Sequence, residues 1–309
     1  MNKVFLFKNQ GVPKPMNTIK LRAYAKINLG LDVVRKREDG YHEVNMIMQT
    51  IGLYDKLTIH ITNQQNIKMK TNLHYLPEDE NNLVYKAAAL MKERYHIEQG
   101  IYINLEKKIP VSAGLAGGSS DAASTLYGIN CLFDLKLSKK DLMKLGLELG
   151  ADVPYCIMRG TAQSMGIGEI LTPLAPFPNC HVLIVKPNIN VSTKYVYENL
   201  KLDASTKHPN IDGIIDCIQK KDLYGATRLF ANVLESVTVK EYPVINEIKA
   251  NMLHYGALNS LMSGSGPTVF GLFDDYNLAQ NAFYQFKVSE FGKQVYLTQM
   301  FHPNNLKVN

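Results

Sequence analysis

The stretch Pro110-Val111-Ser112-Ala113-Gly114-Leu115-Ala116-Gly117-Gly118-Ser119-Ser120, running on into Asp121-Ala122-Ala123-Ser124-Thr125-Leu126, decides how the rest of the chain is read. Before it, Ile101, Ile103, Leu105 and Ile109 mark a strand that Pro110 ends. After it, the run from Asp121 reads as the start of a helix. Glycines between a strand and a helix let the backbone approach an anion closely, and the helix end offers free N–H groups and a positive dipole. Ser119 and Ser120 add hydroxyl donors, or ligands for a phosphate-bound magnesium. The loop is not a Walker A sequence, because no lysine lies between Gly114 and Ser120, and it is not Gly-x-Gly-x-x-Gly. Residues 110–120 are therefore expected to bind phosphate. The plainer alternative is a tight turn packed with small residues.

Working outward from the loop, the N-terminal residues alternate. Ile19, Leu21, Ala23, Ala25, Ile27, Leu29, Leu31 and Val33 oppose Lys20, Arg22, Tyr24, Lys26, Asn28, Gly30 and Asp32. This period of two predicts a half-buried strand, or two strands broken at a bend. Asp39-Gly40 signals a turn, and strand patterns resume at 44–51 and again after Lys56. Asn81 reads as the N-cap of a helix with Leu83, Ala87, Leu90 and Met91 on one face. Ser138-x-x-Asp141 opens a helix that Gly150 stops, and Pro154 biases Val153 toward an extended form. Pro173, Pro176 and Pro178 mark a linker. A strand at 181–185, helical stretches near 211–219, 223–234 and 244–255, a Ser-Gly loop and a strand at 268–273 follow. Mixed strands and helices in two parts make an α+β chain.

Composition limits what such a chain does. Its 309 residues are 46% hydrophobic and 20% charged, which suits one large domain or two with a sizeable core. The 34 Lys+Arg against 28 Asp+Glu give +6, without the clustered cations and aromatics of a nucleic-acid binder. Lys3, Lys8 and Lys14 alone carry half of that excess, so it is a weak sign of anionic ligands. No apolar run reaches the roughly 20 residues of a membrane helix. Cys131, Cys156, Cys180 and Cys217 are isolated, which indicates neither a disulfide framework nor a zinc site. Four apolar residues, Val4-Phe5-Leu6-Phe7, are too few for a signal peptide, so a soluble, cytoplasmic protein is expected.

The loop from Pro110 to Ala123 resembles the ATP-binding motif of the GHMP kinase superfamily of small-molecule kinases. Ala25-Lys26-Ile27-Asn28-Leu29, Asp39-Gly40-Tyr41-His42, and the stretches 149–154 and 166–169 resemble one branch of it. Members of that branch use ATP to phosphorylate the 2-hydroxyl of 4-diphosphocytidyl-2-C-methyl-D-erythritol, in the non-mevalonate route to isoprenoid precursors. Residues 263–268 are similar to the superfamily's C-terminal glycine motif, and the motifs keep their order from Ile19 to Phe301.

The resemblance implies a two-domain α+β fold. A ribosomal S5 domain 2-like part is expected over 18–178 and a ferredoxin-like part over 179–309, with 1–17 an extension or Met16 the natural start. It implies ATP and Mg2+ as cofactors, with the metal ligands unassigned, and a small-molecule partner rather than nucleic acid or membrane. By the same resemblance Asp152 is the base, Lys26 its orienting partner, and the 110–120 loop holds the triphosphate. Asn28 and Thr193 bind the acceptor; Tyr41, His42 and Tyr197 take the cytidine, with Tyr195 the competitor for Tyr197. From the residues alone, Asp152 would be a solvated turn aspartate and Lys26 an exposed strand lysine. Arg159 departs from the pattern, standing where the family often has a glycine. The alternative is another kinase of the superfamily, acting on homoserine, mevalonate or a sugar.

Overall fold

A computed structural model describes residues 17–291 and 293–303, arranged as two sheets with helices packed on them. β1 (Thr18–Lys36) and β2 (His42–Thr62) form a long antiparallel hairpin. Its turn needs Gly40, whose φ of 85° is costly for any residue with a Cβ. β3 (Ile67–Thr71), α1 (Leu83–Arg94), β4 (Gly100–Glu106), α2 (Gly117–Leu132), α3 (Lys139–Leu149), α4 (Val153–Met158), β5 (Thr161–Gly166) and β6 (Ile170–Pro173) follow. The strands run in the order β3-β4-β2-β5-β6, with β1 paired along β2. α2 packs on this sheet through Ala122, Ala123, Leu126 and Ile129, among Leu57, Ile59 and Ile103.

The second sheet comprises β7 (His181–Lys186), β8 (Asn259–Met262), β9 (Val269–Phe273) and β10 (Gln294–Gln299), in the antiparallel order β10-β7-β9-β8. α5 (Thr193–Asn199), α6 (Ile211–Gln219), α7 (Leu223–Arg228), α8 (Glu235–Glu241) and α9 (Val244–His254) lie between β7 and β8, and α10 (Tyr276–Val288) between β9 and β10. This is a β-α-β-β-α-β arrangement with extra helices in its first crossover. A shared core joins the two sheets: Ala25, Ile27, Leu29, Ile47 and Ile51 of the hairpin pack with Ile184, Ile214, Leu261 and Phe270.

That shared core corrects the reading of β1. The strand is continuous, with register shifts at Tyr24/Lys26, Asn28/Gly30 and Val33/Arg35, and residues 23–31 are buried on both faces. Alternation does not reveal this, because the second cover comes from residues far away in sequence. β2 is likewise one strand where two segments were expected. Val153 starts α4 rather than extending, with Pro154 in the first turn, where the missing N–H costs nothing. The cap of α1 is Asn82, not Asn81; its Oδ1 accepts the N–H of Val84 at 3.0 Å. The capping box of Ser138 and Asp141 forms as expected.

The stretch 223–234 is not one helix. It breaks after α7 because Leu31 of β1 donates its N–H to Ala231 O (3.0 Å) and accepts the N–H of Val233 (3.0 Å), bonds that a helix there would forbid. Residues 1–16 lie outside the described residues, and so does nearly all of the expected N-terminal extension. No helix among the described residues is long and apolar enough to cross a membrane, and all four cysteines are free.

Candidate active site

The glycine loop lies between β4 and α2, and the helix begins four residues earlier than expected. Gly117 to Ser120 form its first turn, and Ser120 N–H already bonds Ala116 O at 2.9 Å. The bend before it is made by Ser112, Gly114 and Ala116, with φ of 51°, 72° and 53°. Gly114 has no substitute, since a Cβ there would sit 2.1 Å from Ser263 O. The loop lines a cavity of about 500 Å³ with Leu76, Asn82, Leu83 and Lys107 on its other walls. Free N–H groups at the start of the 16-residue α2 lie at an open cleft where a phosphate could bind. Two expected loop residues do not face it: Leu115 enters the shared core and Ser120 is buried in α2. Pro110, Val111, Ser112, Ala113, Gly114, Ala116, Gly117, Gly118 and Ser119 do.

A sealed ion cluster anchors this loop. Lys107 Nζ lies 2.5 Å from Asp55 Oδ2 and 2.7 Å from Asp121 Oδ2, and Asp55 Oδ1 accepts the N–H groups of Lys108 and Ile109. Burial opposes the charge on Lys107, but the Asp121 and Asp55 carboxylates outweigh it and hold the ammonium above its ordinary value. Burial raises the Asp121 carboxyl well above the usual carboxylate range.

A second cavity of about 690 Å³ opens beside the first and shares Gly114, Ser119, Asp152 and Thr193 with it. Lys26, on β1, reaches its floor with only 5% of its surface exposed. Its Nζ donates to Asn28 Oδ1 at 2.8 Å and stands 4.0 Å from Asp152 Oδ2. Asn28 is fully buried, and its other end donates to Met46 Sδ at 3.2 Å, so its amide holds Lys26 in place. Asp152 occupies the N-cap position of α4 but caps nothing, which leaves a one-third-exposed carboxylate facing both cavities. Lys26 is thus no exposed strand lysine.

The outer part of this cavity is aromatic. His42 and Tyr197 stand with ring centroids 5.1 Å apart, and Tyr41 presents an exposed ring at the same cavity. Burial, and then the charge of Lys36, lowers the His42 pKa, which favours a neutral imidazole. Burial, and then the Asp152 charge, pushes the Tyr197 phenol up to about 12. Tyr195 lies elsewhere, its hydroxyl 3.5 Å from Glu241. Thr193 Oγ1 shares a 2.8 Å hydrogen bond with Ser265 Oγ. A larger cavity, about 890 Å³, is lined by Tyr195, Phe230 and Lys249 and contains no glycine-loop residue, so size does not mark the site.

Arg159 has a φ of 62°, which explains why glycine suits that position; its guanidinium lies over the Tyr24 ring, 5.4 Å from the centroid.

Residues 82–160 match the family described as GHMP kinases N terminal domain, and residues 225–291 match GHMP kinases C terminal. A 4-diphosphocytidyl-2-C-methyl-D-erythritol kinase of Lachnoclostridium phytofermentans is 62% identical over 291 residues, covering 94% of this chain and 100% of that protein. The chain belongs to the GHMP kinases. The protein of the same name from Clostridium perfringens is 49% identical over 93% of this chain and 100% of its own length. A crystal structure of 4-(cytidine 5'-diphospho)-2C-methyl-D-erythritol kinase superposes with a TM-score of 0.79 at 31% identity, over 92% of this chain and 100% of that one. A homoserine kinase from Cytophaga hutchinsonii shares the fold, with a TM-score of 0.73 at 22% identity over 94% and 96% of the two chains.

Other members of this site left little trace in sequence. Leu31 and Met46 line the second cavity from strands that read as ordinary core. Gly264 and Ser265 belong to a recognisable glycine motif, but nothing local says that it closes against Gly114.

Proposed function

We propose that this chain transfers the γ-phosphoryl group of ATP to the 2-hydroxyl of 4-diphosphocytidyl-2-C-methyl-D-erythritol. The observation that carries this reading is the meeting of two cavities at Asp152, Ser119, Gly114 and Thr193, with Lys26 beside them. The glycine-loop cavity would take the triphosphate, and the aromatic one the cytidine, between His42, Tyr41 and Tyr197. The acceptor hydroxyl then lies at Asp152. Its carboxylate receives the proton as the oxygen attacks the γ-phosphorus, while Lys26 orients that carboxylate and offsets phosphoryl charge. General-base help contributes about 10²–10⁴ in rate. Because the phosphoryl transition state is loose, holding the two reactants in line matters as much.

Magnesium is the usual companion of ATP. Among the described residues no group of three or more His, Cys, Asp and Glu could cage an ion. Mg2+ needs no such cage, because it is bound through one or two carboxylates and the phosphates themselves. Asp152 is the carboxylate both cavities share. When bound, the ion would neutralise phosphate charge. The test is phosphoryl transfer from labelled ATP to the cytidine acceptor, homoserine and mevalonate side by side. Preference for the cytidine compound is expected, and preference for either of the others overturns the reading.

A further inference from the structure

We infer that Asn232 is a positioning residue of the transfer site, holding the glycine turn at 263–266 against the phosphate loop and Lys26. The inference rests on the phosphotransfer reading above. Asn232 lies in the break between α7 and α8 with 5% of its surface exposed. Its Nδ2 donates to the carbonyls of Met262 (2.9 Å) and Gly264 (2.8 Å), and its Oδ1 accepts the N–H of Leu234 at 3.0 Å. Both amide hydrogens are therefore spent on one turn. The flanking Ala231 and Val233 are bonded to Leu31, three positions beyond Asn28 on the strand that carries Lys26.

The opposite side of the turn meets the site. Ser263 Oγ donates to Gly114 O at 2.9 Å, and Ser265 Oγ bonds Thr193 Oγ1 at 2.8 Å. A Cβ built on Gly264 would lie 3.4 Å from Gly114 Cα and 3.7 Å from Lys26 Nζ. The turn is thus in contact with the phosphate loop on its inner side, and the Asn232 amide restrains its outer side. Asn232 lines neither cavity of the site, so it acts only through this turn. Its loss would let the shared wall at Gly114, Gly264 and Ser265 recede and spoil the alignment of acceptor and phosphoryl donor. A displacement of about 1 Å is enough to cost a hundredfold in rate.

The decisive variant, in the full chain, is Asn232→Asp. It keeps an oxygen for Leu234 N–H but faces the two carbonyls with an oxygen in place of two donors. We expect kcat to fall about tenfold or more, with little change in either KM or in the affinity for a non-hydrolysable ATP analogue. A merely structural role would lower the melting temperature and leave the kcat of the folded enzyme alone; that result overturns the inference. Ser263→Ala cuts the same turn from Gly114 and should also lower kcat. In the double variant its effect should shrink, since both act through one element, whereas strict additivity counts against the inference. Should Asn232→Asp fail to fold, an unchanged kcat in Ser263→Ala overturns it. A wild-type chain that binds the ATP analogue but leaves the cytidine acceptor untouched sinks the acceptor reading alone. Asn232 is then judged on whichever of homoserine and mevalonate is phosphorylated.

Discussion

Two buried lysines sit beside aspartates in this molecule, in opposite arrangements. Lys107 touches two carboxylates at 2.5 and 2.7 Å, both sealed from solvent, and the cluster pins the entry of the phosphate loop. Lys26 is as deeply buried, but its carboxylate stands off at 4.0 Å and is one-third exposed. There the ammonium is held at short range by both carboxylates, although Asp121 Oδ1 is left buried without a hydrogen-bond partner. A separated pair at the junction of two cavities leaves the carboxylate able to accept a proton and the ammonium able to meet negative charge. Residue type is the same in both places; the distance of the pairing and the exposure of the carboxylate are what differ.

The sharpest way to break this contrast is Asp152→Asn. Its carboxylate caps no helix and makes one long ion contact, so stability should move by no more than about 0.5 kcal/mol. Turnover should nevertheless fall about 10²–10⁴-fold with ATP affinity retained. Steady-state kinetics and a thermal melt on the same preparation check both halves, and near-normal turnover removes Asp152 from the chemistry. Asp55→Ala should do the reverse. It strips Lys107 of one buried partner and two backbone N–H groups of their acceptor, at a cost of about 3–5 kcal/mol. Denaturant unfolding measures this, and a loss below about 1 kcal/mol would show that Asp121 alone satisfies the ammonium.

How much of this was legible beforehand depends on whether the signal was local. The order strand, loop, helix around Gly114, the Asp39-Gly40 turn and the capping box of Ser138 and Asp141 all rest on neighbours within a few residues. They form as read, except that the strand ends at Glu106 instead of running through Ile109 to Pro110. The burial of Lys26 was hidden, because the cover over the polar face of β1 comes from distant parts of the chain. The break at 229–234 was hidden for the same reason: Leu31 supplies its hydrogen bonds. Asn232 lay inside an apparently helical pattern, where a lone asparagine carries no message. The early start of α2 was missed because Gly117, Gly118, Ser119 and Ser120 have no apolar periodicity to announce a helix. The candidate site itself was legible as a set of motifs, whereas its closure by the 263–266 turn was not.

The aromatic end of the open cavity extends the contrast to smaller effects. Tyr197 faces the cavity and Tyr195 does not, so Tyr197→Ala should weaken acceptor binding by the ~1–3 kcal/mol of one stacked face, with kcat little changed. Tyr195→Ala should leave KM alone, and an equal rise in both variants would mean that neither ring stacks on the base. His42 supplies the smallest and most specific effect. Burial, and secondarily Lys36, depresses its pKa from the ordinary 6.5, so the folded protein resists protonating it. The stability that goes with a neutral His42 is fully present above pH 6.5 and is lost as pH falls through the lowered value, because the unfolded chain takes up the proton first. A neutral imidazole offers a cytosine one donor and one acceptor, whereas the protonated ring offers only donors and adds a cation beside Lys36. The acceptor KM should therefore rise as pH falls below 6.5 and through the lowered value of His42. His42→Gln should abolish the acidic rise in KM; if the rise persists in that variant, another group is titrating.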